Sequence, residues 1–275
     1  MKFCIFFPPS LANLPAYGSD SSAASDLANV PALYWLSGLT CTEDNFVQKA
    51  GAFRAAAAAN IALICPDTSP RGANLGPEEK ASWDFGEGAG FYLNATTDLY
   101  KNNYRMADYV VHELPALIAA AGLHIDAVSN RSVFGHSAGG HGALVSFLRP
   151  ENKGLFRSVS AFSPIAHPSA CPWGHKAFTG YLQSKEEWAQ WDATALAAAY
   201  DGPATELLID QGGADEWLEK KQLLPHDLIA AVEQRKDKTL TVKYRQREGY
   251  DHSYFFIQTF VDEHIHFHAK ALHKQ

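Results

Sequence analysis

Gly135-His136-Ser137-Ala138-Gly139 is a G-x-S-x-G, the pentapeptide that sets a serine on a sharp strand-to-helix turn with its hydroxyl exposed. Five residues alone are weak evidence, since composition gives about 0.1 chance matches in a chain of this length. The neighbours carry more weight. The apolar Ser132–Phe134 stands directly before the motif and a helical pattern, Ala138–Leu148, directly after it. Glycines there relieve the crowding that such a turn imposes. Ser137 is therefore the candidate nucleophile. A serine hydroxyl at neutral pH needs a base, and the base needs an acid to orient it. In this arrangement the chain order is serine, then aspartate or glutamate, then histidine.

Twelve histidines compete for the role of base. His136 adjoins the nucleophile and is expected to turn away from the hydroxyl, and His141 to pack beneath it. His264, His266, His268 and His273 fall on a C-terminal helix; spacing by two spreads the first three around it, which argues against a shared metal site. His252 differs. It lies in Gly249-Tyr250-Asp251-His252-Ser253, in a loop between the last strand and the last helix. For the acid, Asp215 follows Gln211-Gly212-Gly213-Ala214, just past a strand at Leu207–Ile209; Asp210, nearer the strand end, and Asp251, beside the base, are rivals. Asp215 is favoured because the glycines let its loop curl back toward His252. An oxyanion needs two backbone N–H donors. One falls on Ala138, immediately after the nucleophile, and the other on Leu39, in the turn Ser37-Gly38-Leu39-Thr40 that ends an early strand.

The elements that must hold these residues are legible as alternating runs. Phe3–Phe7, Ala32–Leu36, Ile61–Cys65, Ser132–Phe134, Ser158–Phe162, Leu207–Ile209 and Leu240–Tyr244 are short apolar segments bounded by Gly, Pro, Asp or Ser. Several lack polar alternation, as in a sheet covered on both faces. Helical patterns occupy Asp44–Ala59, Tyr104–Ala121, Ala138–Leu148, Lys185–Gln190, Glu219–Gln234 and Ser253–His273. Strand and helix in turn build a mostly parallel sheet with helices on both faces, an α/β architecture. The 275 residues are expected to form one domain, 1–275, with 163–201 as a cap-like insertion and Leu11–Asn29 as a long surface loop.

Composition excludes several classes. With 47% hydrophobic and 19% charged residues the chain has ample core, and a net charge of −7 offers no basic footprint for nucleic acid. Four scattered cysteines, none in a C-x-x-C, suit neither a disulfide scaffold nor a zinc site. The apolar start ends at Pro8 and no stretch is long enough to span a membrane, so a cytoplasmic protein with no membrane partner is expected.

The chain resembles the S-formylglutathione hydrolases, also called esterase D, of the α/β-hydrolase superfamily. The resemblance runs through almost the whole sequence. Its blocks include Leu36-Ser37-Gly38-Leu39-Thr40-Cys41-Thr42-Glu43, Ser82-Trp83-Asp84-Phe85-Gly86, Gly88-Ala89-Gly90-Phe91-Tyr92, Asn103-Tyr104-Arg105-Met106, Phe162-Ser163-Pro164-Ile165, Pro172-Trp173-Gly174 and Tyr250-Asp251-His252-Ser253-Tyr254. It implies Ser137, Asp215 and His252 as the catalytic triad. The reaction implied is hydrolysis of S-formylglutathione to formate and glutathione, with side activity on short acyl esters and no metal or organic cofactor. It also implies a homodimer, a thiol at Cys41 near the site mouth, and Trp83, Asp84 and Trp173 as substrate-binding residues.

Three departures stand out. Ala138 replaces the family's usual Met, which leaves the backbone donor intact and widens the acyl pocket. Asn94 stands where Asp is common. Met1-Lys2-Phe3 aligns with the second strand of typical members, so Phe3–Phe7 is expected as an exposed sheet edge. A general short-chain carboxylesterase is the alternative function, followed by an acyltransferase; a catalytically dead binding module would typically have lost a triad member.

Overall fold

The alternating runs assemble into one seven-stranded sheet of order β1-β3-β2-β4-β5-β6-β7 in a computed structural model that describes residues 1–11 and 29–274. The strands are β1 (Phe3–Phe6), β2 (Val30–Leu36), β3 (Ala62–Pro66), β4 (Ile125–His136), β5 (Val159–Phe162), β6 (Thr205–Gly212) and β7 (Leu240–Arg247). All neighbours run parallel except β1, which lies antiparallel to β3 at the sheet edge. This is the α/β-hydrolase arrangement expected from the sequence. Most of the expected loop at Leu11–Asn29 lies outside the described residues.

Every residue of β2 is buried, and alternation along it feeds two cores. Tyr34 and Leu36 enter the larger core with Ile64, Val133 and Ile165. Leu33 and Trp35 face the other way, into a core with Phe46, Phe134, Phe162 and Phe256. The rings of Trp35 and Phe46 stack at 4.0 Å there. Burial on both faces is what lets central strands dispense with polar alternation.

The helices are α1 (Glu43–Lys49), α2 (Phe53–Ala58), α3 (Met106–Asp108), α4 (Leu114–Ala120), α5 (Ala138–Leu148), α6 (Pro172–Tyr181), α7 (Ala193–Ala199), α8 (Glu216–Glu219), α9 (Pro225–Glu233) and α10 (Tyr254–Leu272). Two expected helices are divided, and the expected helix at Glu219–Gln234 begins only at Pro225, after the unanticipated α8. Between α1 and α2, Gly51 takes a φ of 67°. A π-helical turn, Tyr109–Glu113, joins α3 to α4. Between α8 and α9, Leu224 is left-handed and Pro225 opens the new helix. The expected helix at Lys185–Gln190 is a 3-10 turn. The 163–201 stretch also holds α6 and α7, neither of them anticipated.

β4 is much longer than the apolar Ser132–Phe134. Its first half is polar and leaves the apolar pattern, yet Ile125 and Asp126 pair with Val30 and Pro31 before the register shifts to Ala32 and Arg131. Asp126 holds the bulge together by accepting from the Ser129 N–H at 2.8 Å.

Candidate active site

Ser137 sits between the last residue of β4 and the first of α5 with φ 57° and ψ −121°. That is a strained conformation for a residue with a side chain. Three backbone bonds impose it. The Ser137 N–H donates to Phe162 O at 3.0 Å, while its carbonyl accepts from His141 N at 3.0 Å and Ile165 N at 3.2 Å. Gly139 is required by close approach: a Cβ there would stand 2.0 Å from Leu36 O.

Asp215 and His252 come from the loops after neighbouring strands β6 and β7. The loops run so close that a Cβ on Gly212 would lie 2.5 Å from the carbonyl oxygens of Tyr250 and Asp251. Ala214 N donates to Tyr250 O at 2.9 Å, locking one loop to the other. His252 Nδ1 then lies 2.6 Å from Asp215 Oδ2. The other oxygen, Oδ1, accepts from Trp217 N at 2.9 Å as the N-cap of α8. Burial alone would raise the Asp215 pKa; the His252 hydrogen bond and charge, with the Trp217 N–H, outweigh it and hold the carboxyl below its ordinary value.

The two rival acids are engaged elsewhere. Asp210 is fully buried and takes Arg245 Nε at 2.5 Å and Arg247 Nε at 2.9 Å. Asp251 accepts from the Ser253 hydroxyl at 2.6 Å and backbone N–H at 2.9 Å. Ser253 in turn caps α10, accepting from Phe255 N at 3.2 Å.

Ser137 and His252 line one cleft of about 220 Å³. His136 was expected to point away but lines the same cleft, its ring centroid 4.3 Å from that of His252. Burial, then the charge of His252, pushes the His136 pKa well down, so it stays neutral. His141 is buried beneath, with Nε2 2.7 Å from Trp191 O.

Both candidate oxyanion donors flank the serine. Ala138 opens α5, where the first N–H groups have no carbonyl within the helix. Leu39 lies in a turn closed by Cys41 N donating to Gly38 O at 3.3 Å, with Thr40 left-handed at φ 69°. Gly38 brings this turn against the nucleophile, its ideal Cβ position being 3.1 Å from Ser137 Cβ.

Of the proposed substrate-binding residues, Cys41, Trp83 and Trp173 line the cleft. Asp84 does not; it pairs with Lys176 Nζ and with the Ser82 hydroxyl. Trp217 lines the cleft and was not anticipated. The signal was its place two residues after Asp215, on the single turn that Asp215 caps. The Trp173 and Trp217 rings lie 4.4 Å apart and Trp83 meets Trp173 edge-on at 5.8 Å. Burial raises the Cys41 thiol pKa against the smaller opposing effects of Tyr254 and Lys49. Among the described residues, no three His, Cys, Asp or Glu side chains are grouped to hold a metal ion, and no helix is long and apolar enough to cross a membrane.

A strained serine, a histidine–carboxylate pair and two candidate N–H donors around a small apolar cleft can support acyl transfer. Comparison with known proteins points the same way. A family model described as putative esterase matches residues 14–267. S-formylglutathione hydrolase from Rattus norvegicus is 50% identical over 273 residues, covering 99% of this chain and 89% of the relative. The Arabidopsis thaliana S-formylglutathione hydrolase is 48% identical over 273 residues, covering 99% and 88%. A solved S-formylglutathione hydrolase from Agrobacterium tumefaciens superposes with a TM-score of 0.85 at 39% identity, covering 98% of this chain and 89% of that one. The chain belongs to the S-formylglutathione hydrolase family.

Proposed function

We propose that the chain hydrolyses the thioester S-formylglutathione to formate and glutathione, with side activity on short-chain acyl esters. The observation that carries the substrate is 50% identity to S-formylglutathione hydrolases along 99% of the chain. The cleft supports it: about 220 Å³ admits a small acyl group.

In this reading Ser137 Oγ attacks the formyl carbon while His252 takes its proton. The carbonyl electrons move onto oxygen, which the Leu39 and Ala138 N–H groups stabilise. Asp215, ionised well below neutral pH, holds His252 in the tautomer with its proton on Nδ1 and stabilises the imidazolium that forms. Collapse breaks the C–S bond, and the departing glutathione thiolate takes the proton from the His252 imidazolium, which returns to neutral imidazole. A cysteine thiol has a pKa of about 8.5, so departure depends little on protonation. Water then gives its proton to the neutral His252 and attacks the formyl-serine; as the C–O bond breaks, His252 returns that proton to Ser137 Oγ and formate is released. Apart from substrate and water, the chain's own residues carry each step of this sequence, and it calls on no cofactor.

Trp83, Trp173, Trp217 and Cys41 line the path of the departing thiol in this scheme. Residues 1–275 act as one α/β-hydrolase domain, with 163–201 capping the cleft. Cytoplasmic location, from the sequence reading, and a homodimer, from the family resemblance, complete the reading. The test is kcat/KM for S-formylglutathione beside a short-chain p-nitrophenyl ester on one preparation. A thioester preference of ~10³-fold or more supports the reading. Equal values, or none for the thioester, move it to a general carboxylesterase.

A further inference from the structure

The acid loop contains a second layer of polar side chains behind Asp215. Gln211, the penultimate residue of β6, is fully buried, and so is Ser163, the residue after β5. Gln211 Nε2 lies 3.1 Å from Asp215 Oδ2, 3.0 Å from Ser163 Oγ and 3.2 Å from Gly212 O, donating toward all three acceptors. Its orientation follows from chemistry. A flipped amide would set its oxygen against the carboxylate, two acceptors facing one another without a proton between them.

Ser163 completes the arrangement. Its hydroxyl oxygen accepts from Gln211 Nε2 and, at 3.4 Å, from Gly212 N. The hydroxyl also favours the ionised form of the Asp215 carboxyl. Its backbone is held at φ 39°, costly for a residue with a Cβ, and its N–H donates to Asp210 O at 2.7 Å. Two residues on, Ile165 N reaches back to Ser137 O at 3.2 Å. One short segment thus bonds to the acid loop through Ser163 and to the serine's own backbone through Ile165.

We propose that Gln211 and Ser163 are positioning residues that clamp the Asp215 carboxylate, keeping Oδ2 on His252 Nδ1. This rests on the reading of Ser137, His252 and Asp215 as the catalytic triad. The same oxygen that receives His252 also receives the Gln211 amide. With Trp217 N on Oδ1, the carboxylate is held from both ends. A buried carboxylate with only the histidine as partner would be free to rotate about its Cβ–Cγ bond. The clamp removes that freedom before substrate arrives.

Gln211→Met and Ser163→Ala, each preserving most of the buried volume, are compared with Asp215→Asn and the unaltered enzyme. Folding is checked by thermal melting, and turnover of S-formylglutathione or a short p-nitrophenyl ester is followed across pH. The low-field proton resonance of the His252–Asp215 bond is recorded by NMR. We expect kcat to fall by ~10-fold or more in both folded variants with KM within about twofold, the acid limb of kcat/KM to move, and the low-field resonance to shift or vanish. If one variant fails to fold, the other carries the test. Should Asp215→Asn lose activity while the folded clamp variants keep kcat within about twofold and the resonance unmoved, the clamp is overturned and the triad stands. Full activity in Asp215→Asn would overturn the triad reading and the clamp with it.

Discussion

The Asp215 carboxylate and the His252 imidazole, 37 residues apart in sequence, meet at 2.6 Å. They meet because β6 and β7 run parallel side by side, and both strands release their loops at the same end of the sheet. Ligand chemistry in open α/β sheets gathers at that end. The serine arrives there from β4 and the Leu39 turn from β2, so one end of the sheet brings together the groups that the proposed reaction uses.

Asp215→Asn is expected to lower kcat by about 10⁴-fold, because an amide favours the wrong histidine tautomer while leaving the geometry intact. Steady-state kinetics on folded protein checks this. A loss under about tenfold would place the orienting acid elsewhere.

Asp210→Asn should act on stability instead. Its carboxylate is buried between Arg245 and Arg247, and removing one partner of such a cluster costs roughly 3 kcal/mol. Urea unfolding measures it. The variant should keep most of its kcat, since Asp210 faces His264 rather than His252.

The same two carboxylates set a pH dependence. Burial pushes Asp210 up, but His264 and Arg245 outweigh it; in Asp215 His252 does the same, so both folded pKa values lie below ordinary ones. A depressed carboxyl binds fewer protons folded than unfolded. Its stabilising contribution is therefore complete above the ordinary carboxyl range near 3.9, and is lost as pH falls through the folded value. Thermal melts should fall below pH ~4, and Asp210→Asn should flatten that limb.

Trp83→Ala separates binding from folding. The side chain is 54% exposed at the cleft mouth, so its loss should change stability by under about 0.5 kcal/mol. If the thiol leaves past this ring, kcat/KM for S-formylglutathione should drop by about tenfold while that for a small acyl ester changes less. Equal losses on both substrates would remove Trp83 from the leaving-group path.

Cys41 should react slowly with alkylating reagents at neutral pH, because burial keeps its thiol protonated. The alkylation rate, compared with that of free glutathione, is the check. A faster rate at Cys41 would mean a thiolate the cleft does not support.

How much of this was legible depends on how local each signal was. The elbow needs only one strand, one turn and one helix, so Gly135–Gly139 carried it. The acid needed more: the glycines favour Asp215, and Asp210 stays its rival until β7 supplies Arg245 and Arg247 to occupy it. Trp217 was missed because it stands on a four-residue helix that exists through its Asp215 cap, with no periodicity to announce it. Gln211 was read only as part of a glycine loop, since a buried amide becomes informative once its acceptors are known. The helix breaks at Gly51 and before Pro225 have a similar origin: the apolar period continues across Gly51 and Leu224, whose left-handed backbone interrupts the helix. Asp84, expected at the site, instead pairs with Lys176 beside the cleft.

The most direct test is turnover of S-formylglutathione by Ser137→Ala beside the unaltered enzyme, with folding verified by thermal melting. Loss of ~10⁴-fold or more in kcat with the melting temperature preserved is the predicted result. Substantial turnover by the folded variant would contradict a formyl-serine intermediate at Ser137 and the mechanism built on it.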